Sequence, residues 1–587
     1  MVMVDRLMNH PAVNADPSGT DSDESGPADR LSGRSALIIL GYGLTVLLVH
    51  FGRPWALTFH EVNFAGPARE FLQSGDWLVP RIMGMPLWDK PPLMHWSIAA
   101  SLSAFGTEAE WAARLPAVLS AVLTSLVIAW LAARWYGDRV GLIAGLVQSS
   151  SVYAFMQGRL AEADMMLCAA VTLAMASFAA GVVGRENTRP PIGWRLAYFG
   201  AAGLAFLVKG PIGLVLIAVG SGLFAVVTRR WAAWRLLLDP LGWLVMLLLV
   251  VAWPLAAMLR EPGLLEVWWR HNVDRFRGDL GGGGKDPAFY LYTAAWLALP
   301  WTPLAVFGAL AEAKSDRSRF LRDDRSRVLL CWTLGMMLVL SLSAWKHKHY
   351  IIPALPPLSI WAALGLVRII NGAVPDRLRR WPIARTTRVT MPSLAVAGIV
   401  TGLIVATRGG AGLALAGASI AMLVGLGLTI AERFWHAGRP RAAVAGLFAV
   451  VWGAFVLVQS LAMPEVDDYR GQSELAMRFS ADLPPGADVS VVGIPDPQIT
   501  YYLPIPVRRH DDVASLADRL VGDRASPDDR VYVVGPLWIL DDLKRLGRVR
   551  LLDRSATVHP RKEEADRMLA LELRPDRPRL ASKLRPD

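Results

Sequence analysis

From residue 35 to residue 462 the chain repeats one pattern: a long apolar run, a short polar or basic connection, and another apolar run. That pattern constrains the fold more than any motif, because a helix of roughly 20 apolar residues crosses the hydrocarbon of a bilayer with every backbone group satisfied. The hydrophobic content of 53% and the mean hydropathy of +0.35 exceed what a soluble core of this length would bury. Thirteen segments read as spans: 35–52, 112–133, 140–157, 165–183, 196–208, 211–228, 236–258, 291–312, 328–344, 350–370, 390–407, 412–431 and 443–462. The apolar stretch from Leu93 to Gly106 is shorter, follows Pro91-Pro92 and carries His95, so it either crosses or lies in the interface.

Charge decides between the two. With 93–106 left in the interface and the amino terminus inside, the connections 134–139, 184–195, 229–235, 313–327, 371–388 and 432–442 face the cytoplasm and hold 22 Lys and Arg. The opposite short connections hold only Arg159, Lys209, Lys346, Lys348 and Arg408. The excess of positive loops on one side therefore sets the orientation, with the carboxyl terminus outside. It also accounts for the net charge of +11 without nucleic acid, since no basic face with interleaved aromatics occurs.

Residues 1–34, rich in Asp, Ser, Gly and Pro, read as a disordered cytoplasmic tail without the order of a signal peptide, so the first span is expected to act as an uncleaved anchor. Cys168 and Cys331, both inside spans, exclude a disulfide framework and a CxxC site. Beyond Pro464 the β-branched runs Asp488–Ile494 and Asp528–Gly535 alternate with helix-like segments. Residues 465–587 thus read as a small soluble α/β domain outside the membrane, with no phosphate loop after either strand. A structural or partner-docking role is expected for it.

The unusual charges gather in the outer-face connections 53–111 and 259–290 and at the mouths of neighbouring spans, which points to one shared site. His60-Glu61 directly follows the first span; a base there suits deprotonation of an acceptor hydroxyl, and the competing reading is a solvated helix start. Pro91-Pro92 fixes the angle at which Asp89 and Lys90 are presented, so Lys90 either meets a phosphate or reaches toward lipid headgroups. Glu162 and Asp164 stand at the mouth of a span; Asp164 is a second candidate base or, alternatively, a helix cap.

The stretch Trp268–Tyr290 joins Arg270, His271, Arg275 and Arg277 to a four-glycine hinge. Arginine's planar donor fork matches phosphate oxygens, and the glycines lack the strand and GK[ST] of a nucleotide loop, so no nucleotide cofactor is expected. The glycines instead suit a mobile loop that admits a large lipid. Lys346 to Tyr350 complete an anion site open to lipid, with interfacial anchoring as the alternative for Tyr350 and the lysines.

In order, "HE", "SGDWLVPR", "WDKPPL", "RLP", "DMML", "KGP", "RHNVDRF", "PW" and "KHKHYIIPALPPL" resemble the polyprenyl-phosphate-sugar-dependent glycosyltransferases of the GT-C class. The likeness covers roughly residues 36–370. It is nearest to the bacterial aminoarabinose transferases that modify lipid A, with more distant kinship to protein O-mannosyltransferases (dolichyl-phosphate-mannose-protein mannosyltransferases). The resemblance implies sugar transfer from an undecaprenyl-phosphate carrier to a lipid, glycan or protein acceptor on the periplasmic face of the inner membrane. It implies that Lys90, Arg275 and Tyr350 contact the carrier phosphate, that Asp164 belongs to the catalytic cavity, and that Asp89 with His271 holds a divalent metal. The chain departs from the pattern after the first span, where the family carries Asp-Glu with an Arg two residues beyond the Glu; here stand His60, Glu61 and Asn63.

The expected fold is therefore a polytopic GT-C-like helical membrane domain, 35–462, with a small α/β domain. In the expected reaction Lys90, Arg275 and Lys348 neutralise the leaving phosphate while His60, Glu61 or Asp164 deprotonates the acceptor, inverting the anomeric centre. Two other classes stay open: a lipid or glycan transporter, against which the charges gather at one interface rather than at the midplane, and a catalytically altered scaffold, raised by His60.

Overall fold

The structure, a computed structural model, describes residues 30–576 apart from 53–54, 83, 89, 275–276, 278–284, 316, 373–410, 465–470, 494–496, 504–506, 524–528 and 556–566. Among the described residues seven helices are long and apolar enough to cross a membrane, and nine when each of two sharply bent helix pairs counts as one span. The expected span 390–407 lies outside the described residues.

The longest early helix, Glu110–Tyr136, packs against Asp138–Ser149 and Ala163–Val182, and the apolar side chains of these three build the core of the bundle. The expected span 140–157 is not continuous: the helix ends at Ser149 and a short helix, Val152–Gln157, resumes after the serine run. Residues 291–312 are likewise not one rod. Helices Phe289–Leu297 and Thr302–Lys314 meet at 106° around Pro300, which has no N–H to continue the ladder. The pair Lys348–Ala354 and Pro356–Ile370 bends by 61° at a second proline-rich joint.

Helices Thr302–Ser315 and Pro356–Ile370 cross on two glycines. A Cβ on Gly308 would stand 2.0 Å from the Trp361 carbonyl oxygen and one on Gly365 would stand 2.7 Å from that of Leu304, so only glycine allows the backbones this close.

Helix Leu93–Phe105 has 13 residues, about 20 Å of rise and short of the roughly 30 Å hydrocarbon core. It packs on helix Phe59–Ser74, where the fully buried His95 places Nδ1 3.1 Å from the Phe64 carbonyl oxygen. Helix Leu93–Phe105 packs in turn on helix Glu110–Tyr136. A two-stranded turn, β1 (Arg81–Ile82) and β2 (Met85–Pro86), joins helices Phe59–Ser74 and Leu93–Phe105.

The carboxy-terminal part is an α/β unit. Its strands β3 (Asp488–Val492), β4 (Val507–His510), β5 (Val531–Pro536), β6 (Gly547–Arg554) and β7 (Met568–Pro575) lie in the order β4-β3-β5-β7-β6. The first three are parallel, and β7 runs antiparallel to both of its neighbours. Helices Val513–Gly522 and Leu540–Leu546 cover one face, and Gly471–Asp482 with Pro497–Tyr502 cover the other.

Candidate active site

One cavity of about 480 Å³ gathers side chains from five separate connections on one side of the bundle. Helix Phe59–Ser74 supplies His60 and Asn63, one turn apart. Its start is fixed locally: the Thr58 side chain accepts from the Glu61 N–H, and the Glu61 carboxylate accepts from the Thr58 N–H at 2.9 Å. That capping box turns His60 toward the cavity and Glu61 into the protein.

Glu61 is fully buried and its carboxylate is saturated. Oε1 accepts from Arg114 Nε at 2.7 Å and from the Ala161 N–H at 3.0 Å; Oε2 accepts from Thr58 and from Arg114 Nη2 at 3.1 Å. Burial alone would raise its pKa, but the Arg114 charge and these hydrogen bonds outweigh it and hold the carboxyl below the usual range. Glu61 does not line the cavity, and with both oxygens occupied it ties three segments together instead of acting as a base.

Asp164 does line the cavity. It sits in the first turn of helix Ala163–Val182, but the residue in the capping position is Glu162 and no side chain caps that helix, so the capping alternative does not apply. Asp164 Oδ1 instead accepts from Lys209 Nζ at 2.5 Å, and the Lys209 ammonium lies 5.0 Å from the centre of the Tyr350 ring. Lys209 ends helix Ile192–Lys209 and is followed by Gly210 at φ 75° and ψ −153°, a conformation that glycine adopts without strain. Pro211 then opens the next helix. This sharp joint turns the ammonium into the cavity. The sequence places Lys209 on the right face without giving it a role; the Lys-Gly-Pro triplet before an apolar run is the signal that marks it.

Glu162 lines the same cavity, 8% exposed. Burial, with Asp164 and Glu61 nearby, pushes its carboxyl up to about 8. Lys90 enters from the Trp88–Pro91 turn, which is held by the indole of Trp268 donating to the Trp88 carbonyl at 2.7 Å.

The segment Trp345–Tyr350 contributes Trp345, His347, His349 and Tyr350 to the wall. His347 is extended, at φ −121° and ψ 149°, so neighbouring side chains alternate in direction. Trp345 Nε1 donates to His347 Nε2 at 2.5 Å, and the two imidazoles stack with centroids 5.4 Å apart. Lys346 and Lys348 do not line the cavity: Lys346 is buried, with its carbonyl accepting from Lys285 Nζ at 2.5 Å, and the exposed Lys348 stands 5.8 Å from the Trp296 ring centre. The expectation that Lys348 reaches a carrier phosphate therefore meets a side chain turned away from the cavity; the imidazoles occupy that place.

Of the predicted site residues, His60, Lys90, Asp164 and Tyr350 come together. Asp89, Arg275 and the His271 side chain lie outside the described residues. The metal implied for Asp89 and His271 thus falls there too. Among the described residues no group of three or more His, Cys, Asp or Glu converges as a metal site.

The opposite connections are tied in ion pairs of their own. Asp239 binds Arg189 and Arg195, Arg230 binds Glu186 and Asp324, and Arg368 binds Glu312, and none of these lines the cavity.

Residues 89–256 match the family described as dolichyl-phosphate-mannose-protein mannosyltransferase. The undecaprenyl phosphate-alpha-4-amino-4-deoxy-L-arabinose arabinosyl transferase of Pectobacterium atrosepticum is 28% identical over 434 residues, 72% of this chain and 71% of that relative. The enzymes of the same name from Pectobacterium carotovorum and Edwardsiella ictaluri are each 30% identical, over 59% and 54% of this chain; the matches span 61% and 57% of those relatives. The crystal structure of ArnT from Cupriavidus metallidurans bound to undecaprenyl phosphate superposes with a TM-score of 0.76 at 22% identity, covering 94% of this chain and 99% of that one. The apo form gives 0.74. Fold and similarity together define a membrane glycosyltransferase of the GT-C class. Within that class the chain is similar to the aminoarabinose transferases and, over residues 89–256, to the dolichyl-phosphate-mannose-protein mannosyltransferases.

Proposed function

We propose that this chain transfers a sugar from a polyprenyl-phosphate carrier, undecaprenyl phosphate in kind, to a lipid, glycan or protein acceptor on the periplasmic face of a bacterial inner membrane. The observation that carries this reading is the cavity itself: two lysines, three imidazoles and a tyrosine gather beside two carboxylates, within apolar walls supplied by Leu167, Ile212 and Leu216. Such a site accepts a phosphate from the lipid side and sugar hydroxyls from the other. The similarity to ArnT bound to undecaprenyl phosphate supports the choice of carrier, and the basic connections on the opposite side support the orientation.

In the proposed reaction the acceptor oxygen attacks the anomeric carbon as the bond from that carbon to the carrier phosphate oxygen breaks. Negative charge grows on the leaving phosphate, and the ammonium groups of Lys90 and Lys209, aided by the Tyr350 hydroxyl, stabilise it in a site of low dielectric. Asp164 holds Lys209 in place. His60, at the exposed rim of the cavity, takes the proton of an acceptor hydroxyl. A single displacement inverts the anomeric centre. A divalent ion bound by Asp89 and His271 would add Lewis-acid assistance at the phosphate; every step above uses side chains of the chain alone.

The test is product formation by the purified full-length protein in nanodiscs. A labelled polyprenyl-phosphate sugar is supplied with lipid A, periplasmic glycan or protein acceptors, and mass spectrometry seeks the added sugar. The expected result is a mass increment that Lys90→Ala abolishes. Transport of the intact carrier lipid across the bilayer without any transfer would replace this reading with the transporter.

A further inference from the structure

Among the described residues the carboxy-terminal domain reaches the catalytic region through a short helix, and the contact falls on the backbone that introduces His60. Helix Pro497–Tyr502 packs against helix Phe59–Ser74. Tyr502 Oη accepts from the Leu57 N–H at 2.8 Å and donates to Glu110 Oε1 at 3.1 Å. Gln498 Nε2 donates to the Leu57 carbonyl at 2.9 Å. Both backbone groups of Leu57 are thus satisfied by side chains from another domain, at a fully buried residue that precedes the Thr58 cap.

The other side of the same short segment is held by the bundle. Arg114 donates to the Trp55 carbonyl at 3.0 Å and to the Ala56 carbonyl at 3.1 Å while it grips Glu61. Glu110 and Arg114 lie one turn apart on one face of helix Glu110–Tyr136, so one helix holds Glu61 directly and Leu57 through Tyr502. A third contact fixes the far end of the catalytic helix: Arg69 donates to the Tyr501 carbonyl at 2.6 Å, with its guanidinium 4.4 Å from the Tyr501 ring centre.

We propose that Tyr502 and Gln498 are positioning residues for the transfer reaction: by holding the backbone of Leu57 they set where helix Phe59–Ser74 presents His60 and Asn63 to the cavity. The carboxy-terminal domain is then part of the catalytic assembly although none of its described residues lines the cavity. This rests on the role of His60 given above. One hydrogen bond contributes little to the stability of a chain this size, but a shift of a general base by a fraction of an ångström is felt in the chemical step.

The experiment compares full-length wild type, Tyr502→Phe and Gln498→Leu in nanodiscs. Three quantities are read: kcat and donor KM, amide hydrogen exchange at residues 55–62, and the rate of diethylpyrocarbonate modification of His60. The expected result for each variant is faster exchange at Leu57, a changed modification rate at His60, and kcat lower by about tenfold, roughly 1.4 kcal/mol, with donor KM unchanged within twofold. Faster exchange with wild-type kcat overturns the proposal, as does a loss that falls on donor KM instead. Unchanged exchange and modification also overturn it. Aggregation of both variants would make the contact a folding requirement and count against it. If the wild type transfers no sugar at all, the function proposed above fails, while the exchange and modification rates still decide whether the domain positions His60.

Discussion

Lys209→Met tests the cavity at its most connected point. The substitution keeps the length and apolar stem of the side chain and removes the ammonium that bridges Asp164 and the Tyr350 ring. If Lys209 meets the carrier phosphate, the loss is one charge-assisted hydrogen bond to a developing charge, about 1.5–3 kcal/mol, or roughly 10- to 150-fold in kcat/KM. A second effect must be separated from this one, because the change strands a buried carboxylate at Asp164, whose side chain is 8% exposed. The double variant Lys209→Met/Asp164→Asn removes that stranded charge. If the lysine serves only to neutralise Asp164, the double variant recovers most of the activity. If the lysine grips phosphate, it stays at least tenfold below Asp164→Asn alone. The assay is transfer from a labelled polyprenyl-phosphate sugar with donor concentration varied. Activity of Lys209→Met within threefold of wild type would refute the assignment.

Arg114→Met leaves Glu61 buried without its partner and is expected to cost about 3–5 kcal/mol, read as a lower melting temperature in detergent and poor accumulation, whereas Arg114→Met with Glu61→Leu recovers part of the loss. Lys348→Ala should leave kcat/KM within twofold, because that side chain points away from the cavity, while Lys90→Ala lowers it by roughly tenfold or more. The raised pKa of Glu162 means that the folded protein binds a proton there which the unfolded chain has lost. Its contribution to stability is complete below the ordinary glutamate range and declines as pH rises toward about 8. Glu162→Gln should therefore flatten the pH dependence of the melting temperature between about pH 4.5 and 8 and raise it at the alkaline end; an unaltered profile contradicts the assignment.

Much of this was legible in the sequence because membrane spans advertise themselves by length and apolarity, and loop charge by its asymmetry. The grouping of His60, Lys90, Asp164 and Tyr350 follows from that geography. What the sequence hides is direction within a segment. Residues 345–350 read as a block of cations and imidazoles, and only the extended backbone at His347 separates the histidines that line the cavity from the exposed Lys348. Glu61 next to His60 looks like an equal candidate until the capping box and Arg114, 53 residues away, claim it. Two strands were also invisible. Residues Met568–Pro575 are rich in Leu, Met, Ala and Glu, good helix formers, yet they form a central strand because pairing with β5 and β6 buries nearly every residue. β4, four residues with two consecutive arginines, is an edge strand whose exposed side resembles a loop. The bend of 106° in the 291–312 segment depends on a proline whose apolar neighbours alone read as continuous.

The proposed reaction requires a phosphate held in this cavity by Lys90 and Lys209, and binding measures that without any chemical step. Undecaprenyl phosphate is titrated into the full-length protein in nanodiscs, with affinity followed by intrinsic tryptophan fluorescence, for wild type, Lys90→Ala, Lys209→Met and the pair together. The predicted result is weakening by roughly tenfold for each lysine and more for both, with affinity for undecaprenol, which lacks the phosphate, weak and equal in all four proteins. Equal affinity for undecaprenyl phosphate across the four would contradict the central claim.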